Sequence, residues 1–299
     1  MASRRKFLQG LGTLALSTSI ACSKRKPSSE AMDESAKEKP TQSERFPCGF
    51  VGHGAPTLAT TPAKGQDLSR WTGAIQKPSA ILVVSAHWQK RPVSIGTTRT
   101  IPLIYDFYGF EKELYELQYP APGAPFLAES LKARLSERMP VEEEPERGLD
   151  HGAWVPLLWM YPEADVPVLP LSLPTQNPAE LFELGRILAP LRDEGVFILG
   201  SGNLTHNLRR IDMAGSGTTP AWAAEFDEWI RQVLVSRDYD ALMDYEQKAP
   251  AVDLAHPSRE HFVPIILAAG AASVAGDGVG FPVQGFEFLS ISRRCVQFG

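Results

Sequence analysis

Cysteine is scarce in this chain, with three residues in 299. Cys22, Cys48 and Cys295 form no Cys-x-x-Cys spacing, so no cysteine cluster competes for a metal. Basic residues are also in deficit. Thirty Lys and Arg against 35 Asp and Glu leave a formal charge of −5, which is not the balance of a nucleic-acid reader. No apolar run reaches the roughly 18 residues that a transmembrane helix needs. Several catalytic signatures are missing as well. A Gly-x-Ser-x-Gly elbow is absent, which leaves a serine hydrolase without an anchor, and so is the His-Glu-x-x-His of zinc proteases. There is no dinucleotide fingerprint, and Gly200-Ser201-Gly202-Asn203 lacks the Gly-Lys-Ser/Thr ending of a phosphate loop.

What is present begins with an address. Arg4-Arg5-Lys6-Phe7-Leu8 precedes a short, weakly apolar stretch over 11–21, a basic segment followed by an apolar one. The paired arginines before Phe-Leu look like a twin-arginine export signal, which makes the export machinery an expected partner and the periplasm or exterior the expected location. Ser19-Ile20-Ala21 suits a signal peptidase, while Cys22 directly after it leaves a lipoprotein anchor open. Residues 22–46 are rich in Lys, Glu, Ser and Pro and read as a flexible tether. The expected organisation is therefore a signal peptide over 1–21, a tether over 22–46 and one catalytic domain over 47–299. Cys48 and Cys295 stand at opposite ends of that domain, and spacing alone does not pair them.

Within the domain, short continuous apolar runs at 80–84, 166–171 and 196–199 read as buried strands, with another candidate at 286–291. Helical patterns cover 126–138, 179–191, 221–236 and 259–272. In the third, Trp222, Phe226, Trp229 and Val233 share one apolar face and read as core. Strands alternating with helices predict an α/β fold, three layers α/β/α around a mixed, mostly parallel sheet, with ligands beyond the strands' carboxyl ends.

All six histidines fall in suggestive places. His53 is flanked by Gly52 and Gly54 at the end of an apolar segment. His87 follows the 80–84 strand, and His206 follows the 196–199 strand. His261 falls in the first turn of the expected helix over 259–272, after Ser258 as its cap. His151 lies in Asp150-His151-Gly152, and His256 precedes Pro257. One such histidine is usually core. Several at one sheet edge favour a catalytic metal site with an open position.

The ordered pieces Gly52-His53-Gly54-Ala55-Pro56, Ser85-Ala86-His87-Trp88, Tyr105-Asp106-Phe107-Tyr108-Gly109-Phe110, Tyr119-Pro120-Ala121-Pro122-Gly123, Leu149-Asp150-His151-Gly152-Ala153-Trp154, Gly200-Ser201-Gly202-Asn203-Leu204-Thr205-His206-Asn207 and Glu260-His261-Phe262 carry a resemblance. From about 48 to 298 the chain resembles the class III extradiol ring-cleaving dioxygenases, in particular the DOPA 4,5-dioxygenase-like branch. The resemblance implies metal ligation by His53, His87 and His261. It makes His206 the acid–base and an additional metal ligand when substrate is absent. It gives His151 a catalytic or substrate-facing place, for which hydrogen bonding to Asp150 is the bland alternative. Tyr105, Phe107 and Tyr108 would lie near the substrate, though aromatic core is an equal reading; His256 would be structural. The cofactor implied is one divalent ion, Zn(II) or Fe(II), with O2 as co-substrate and a small DOPA-like aromatic diol as substrate. Glu260 adjoins His261 but, in a helix, would point away from it. Two other functions stay open on the same residues: a zinc-dependent hydrolase or amidase, and a non-catalytic binding protein.

Overall fold

Alternation of apolar side chains on continuously buried strands separates two cores. The computed structural model describes residues 45–299. The expected signal peptide and all of the tether before Arg45 lie outside the described residues. Arg45 pairs with Asp193, and Phe46 packs 5.9 Å from Phe197, so the domain's packing already includes these two residues.

In chain order the strands are β1 (Cys48–Gly52), β2 (Ala80–Gln89), β3 (Val93–Ile95), β4 (Val141–Glu143), β5 (Val168–Leu173), β6 (Val196–Gly202), β7 (Val279–Gly280), β8 (Phe286–Glu287), β9 (Ile291–Ser292) and β10 (Val296–Phe298). The main helices are α1 (Pro62–Gly73), α2 (Pro125–Ser136), α3 (His151–Met160), α4 (Pro178–Leu188) and α5 (Ala221–Ser236). Three short ones follow, α6 (Tyr239–Met243), α7 (Tyr245–Lys248) and α8 (Val252–Ala255), and then α9 (Pro264–Ser273).

Eight strands form one sheet in the order β4-β3-β5-β2-β6-β1-β10-β7. The central four, β5-β2-β6-β1, are parallel, and β10 and β7 add antiparallel at one edge. Because side chains alternate along a strand, Leu82, Val84, Val196 and Ile198 enter one core with α2, α4, α5 and α9. Ile81, Val83, Phe197 and Leu199 enter the other with α1 and α3. Such two-sided burial explains why these strands read as unbroken apolar runs. The expected three-layer α/β/α architecture is the one observed. Cys48 and Cys295 are buried in different cores and are not bonded to each other.

Two expected elements differ. The helix over 259–272 starts only at Pro264. The strand over 286–291 is instead a hairpin of β8 and β9, turning through Phe288 and Leu289 in the left-handed region at φ 49° and 65°. Those two positions normally take Asn or Gly. The hairpin is pinned by charge. Arg294 Nε lies 3.0 Å from Asp227 Oδ2, and Ser292 Oγ donates to Asp227 Oδ1 at 2.6 Å, with Asp227 on α5 and buried.

Removing one partner of a buried pair strands the other charge, which costs about 3–5 kcal/mol. Asp227→Ala is therefore expected to lower the denaturant midpoint by that equivalent, measured by urea unfolding, while Arg231→Ala on the exposed face of the same helix leaves it nearly unchanged.

Candidate metal centre

Three strand ends and one turn bring the histidines together. β1 runs directly into His53, whose amide donates to the carbonyl of Gly202 at the end of β6 at 2.9 Å. His87 lies in the last part of β2. His261 comes from the irregular turn before α9, and its carbonyl accepts the Asn203 amide at 2.9 Å. Ser258 does not cap a helix there; its hydroxyl donates to Glu260 Oε1 at 2.9 Å. Behind the pair His53 and His87, Gly152 permits close approach. A Cβ there would stand 2.5 Å from Ser85 Oγ and 2.8 Å from the His87 ring.

The Nε2 atoms of His53 and His87 are 3.3 Å apart, and those of His87 and His261 are 3.2 Å apart. Their other nitrogens face acceptors. His261 Nδ1 donates to Glu260 Oε1 at 3.0 Å. Ser201 Oγ gives its own hydrogen to the Gly152 carbonyl, so at 2.9 Å it accepts from His53 Nδ1. His87 Nδ1 faces Asp106 Oδ2 at 3.4 Å, an attraction longer than a normal hydrogen bond. With protons held on Nδ1, lone pairs confront one another at the centre of the trio. A cation relieves that repulsion, and tetrahedral nitrogen ligands at about 2.0–2.1 Å from a metal stand roughly 3.3 Å apart. The three residues fit a divalent metal, and the carboxylates of Asp106 and Glu260 supply negative charge behind it.

Burial keeps these rings neutral, the form that ligates. It pushes His53 well below the ordinary histidine value and, with His151 nearby, takes His87 to about 2. Burial also lowers His261, against the opposing pull of Glu260. Burial alone would raise the Glu260 and Asp106 carboxyls. Hydrogen bonds from His261 and His151 outweigh it and hold each at about 2.

His206, expected as an additional ligand, stands outside the trio. Its ring stacks on His261 with centroids 3.6 Å apart and planes 11° apart, and its metal-competent grouping is with Glu260 and His261. Burial, reinforced by His261, lowers it to about 2. His151 begins α3, its ring 4.0 Å from that of His87. Its Nδ1 and backbone amide both meet Asp106 Oδ1 at 2.9 Å. Asp150, the partner in the bland alternative for His151, instead accepts from Ala153 N, Ser85 and Arg147. His256 is fully buried and donates Nε2 to the Leu204 carbonyl at 2.9 Å, a structural place.

The trio opens on a cavity of about 480 Å³ that Phe107, Tyr108, His151 and His206 help to line. Tyr105 does not line it. Its hydroxyl donates to the Leu117 carbonyl at 2.6 Å, and its ring backs Trp154 and Phe107. A second cavity, of about 460 Å³ beside α4, holds no histidine.

Comparison with known proteins decides among the open functions. Residues 63–293 match the family described as the catalytic LigB subunit of aromatic ring-opening dioxygenase. The chain belongs to the LigB family. It is 44% identical over 230 residues to a 4,5-DOPA dioxygenase extradiol of Beta vulgaris, covering 75% of this chain and 85% of that protein. To the Escherichia coli K12 protein of the same name it is 37% identical over 263 residues, 86% and 96% of the two chains. The crystal structure of an uncharacterized protein from Escherichia coli K12 superposes with a TM-score of 0.71 at 34% identity, covering 85% of this chain and all of that one. As a LigB-family member the chain is an extradiol ring-cleaving dioxygenase, an oxidoreductase of a family that uses a divalent metal and O2. The hydrolase and binding-protein alternatives give way to this membership.

Three residues that hold the histidines in place escaped the sequence reading as such: Ser201, Asp106 and Glu260. Asp106 and Ser201 sit inside motifs that carry the resemblance. Glu260 lies not in the expected helix but in the bends and turns at 258–263, from which its carboxylate meets His261 Nδ1.

An unfolded histidine takes a proton near 6.5, whereas folded His87 and His206 stay neutral down to about 2. Between those values the unfolded chain holds more protons, so acid favours unfolding. Metal-free protein is expected to keep its full histidine-linked stability above about pH 6.5 and to lose it progressively as pH falls below that. Urea midpoints measured from pH 8 to pH 4.5 check this, and the slope should be shallower in His87→Gln/His206→Gln.

Proposed function

We propose that this LigB-family enzyme opens a catechol-type ring beside one of its two adjacent hydroxyls, with O2 as co-substrate and one divalent ion, Fe(II) or Zn(II), held by His53, His87 and His261. The observation that carries this reading is the convergence of three neutral Nε2 atoms on a cavity flanked by two further histidines. DOPA is the substrate class for which the relatives are named. Held by His53, His87 and His261, Fe(II) would supply the redox chemistry that O2 requires, whereas Zn(II) would fit the same nitrogens but has none.

The chain's own residues divide the remaining work. His206, neutral and at the cavity wall, takes a proton from a catechol hydroxyl and returns it as the ring opens. Imidazole suits both directions of transfer once substrate and metal charges are present. His151 faces the cavity from the side of His87. Because its Nδ1 hydrogen is held by Asp106, its Nε2 is the atom left to accept a hydrogen bond from the substrate. Phe107 and Tyr108 limit where the aromatic plane can lie.

The decisive assay is oxygen uptake together with the visible absorbance of a ring-opened semialdehyde, using protein loaded with Fe(II) or Zn(II). His206→Ala is expected to keep its metal and lose about 10²–10⁴-fold in kcat, the contribution of a positioned acid–base. His87→Ala should lose metal and activity together. An empty site in His206→Ala would make that residue a structural ligand, and undiminished turnover would move the acid–base role to His151.

We also infer that the protein is exported by the twin-arginine route, on the strength of Arg4-Arg5 ahead of Phe7-Leu8, with Cys22 as an optional lipid anchor. Replacing both arginines by lysine should trap the protein in the cytoplasm, as read by cell fractionation. Unimpaired export of that variant would remove the reading.

A further inference from the structure

The walls of the cavity say what kind of ring substituent it is built to receive. Among the described residues, the three most exposed large apolar side chains are Tyr108, Met213 and Leu208, at 92%, 68% and 63% exposure. All three line this one cavity, and Phe110, Ile211 and Phe288 continue the apolar surface between them. Large apolar groups left in water around a concave site mark a ligand groove, because a bound apolar group removes both surfaces from water.

Charge points the same way. Apart from the histidines, the sole charged side chain among the described lining residues is Asp106, and its carboxylate is engaged by His151 and faces His87. Lys64 stands 5.4 Å over the Phe288 ring, but its ammonium is paired with Glu287. Arg209 and Arg210 follow Leu208 in the chain and are not among the lining residues. A carboxylate on the substrate's side chain would therefore meet no unpaired cation among the described lining residues, and would gain nothing there over water. An alkyl or aryl substituent would instead cover the Leu208, Met213 and Phe288 surfaces.

Resting on the ring-cleavage reading above, we propose that the substrate is a catechol whose ring substituent is uncharged and apolar, not the zwitterionic amino-acid side chain of DOPA. The trio of histidines sets where the two hydroxyls go. The Tyr108, Leu208 and Met213 rim then selects among catechols by what projects toward the mouth.

The test compares 4-butylcatechol with DOPA on the full-length protein, in two measurements. Oxygen uptake by the Fe(II)-loaded enzyme gives kcat/KM for each, and anaerobic spectral titration of the Zn(II)-loaded protein gives Kd for each. The expected result is a kcat/KM and an affinity at least about tenfold better for 4-butylcatechol, the scale of burying a group of that size. Met213→Arg, a substitution at an exposed position, should narrow that ratio by improving DOPA and weakening 4-butylcatechol. DOPA cleaved as well as or better than 4-butylcatechol would overturn this inference and leave ring cleavage standing. Tighter binding of 4-butylcatechol without oxygen uptake would support the substituent preference and sink the ring-cleavage reading. Failure of both compounds to bind or react would overturn both.

Discussion

The constraint on which the rest depends is that three imidazoles must present bare nitrogens to one point inside a protein. Imidazole has two nitrogens and, when neutral, one proton, so each ring needs something behind it to keep that proton away from the centre. Glu260 does this for His261, the Ser201 hydroxyl does it for His53, and Asp106 attracts the far side of His87. The Ser201 case shows how closely the arrangement is determined. Its hydroxyl hydrogen is committed to the Gly152 carbonyl, which leaves it only the role of acceptor toward His53. Burial then disfavours a second proton on any ring, so the electrostatics of the centre favour a cation over acid.

The sheet exists to hold that arrangement. Parallel pairing of β1, β2 and β6 places their carboxyl ends side by side, and the backbone links His53 to Gly202 and Asn203 to His261 lock the turn before α9 against them. Glycine appears where a side chain would collide with the site, as at Gly152 beneath His53 and His87, where a Cβ would stand 2.8 Å from the His87 ring. The distal hairpin is held by the Asp227 and Arg294 pair, and through Phe288 and Ile291 it forms one wall of the cavity. Core, clamp and wall are thus parts of one mechanical frame.

The layers, the buried strands and the histidine positions were legible in the sequence because each carries a local signal. Ile81 to Val84 are apolar in sequence because both faces of β2 are covered, and a Gly-flanked His53 announces a sharp exit from a strand. What was not legible depends on tertiary context. α3 is buried all round, so it carries no amphipathic period to betray a helix. Phe288 and Leu289 make a left-handed turn without turn residues, held by their surroundings. Glu260 meets His261 Nδ1 from the turns that precede α9 rather than from a regular helix. Asp106 lies 45 positions from His151, and no spacing rule joins them. The distinction between Tyr105, which packs behind the cavity, and Phe107, which lines it, is likewise set by a hydroxyl finding the Leu117 carbonyl.

The histidines of the trio are far apart along the chain, His53 and His87 by 34 positions and His87 and His261 by 174. No amino-terminal fragment that stops short of His261 contains the site, and the clamp on that residue needs β6 in place. With the proposed ligands, metal capture would be a late event in biogenesis, available only after nearly the whole domain has been synthesised and has folded. The ion acquired is then governed by the metals circulating wherever folding finishes. On the proposed ligand set, whose geometry suits Zn(II) and Fe(II) alike, the place of maturation becomes part of what determines catalytic identity.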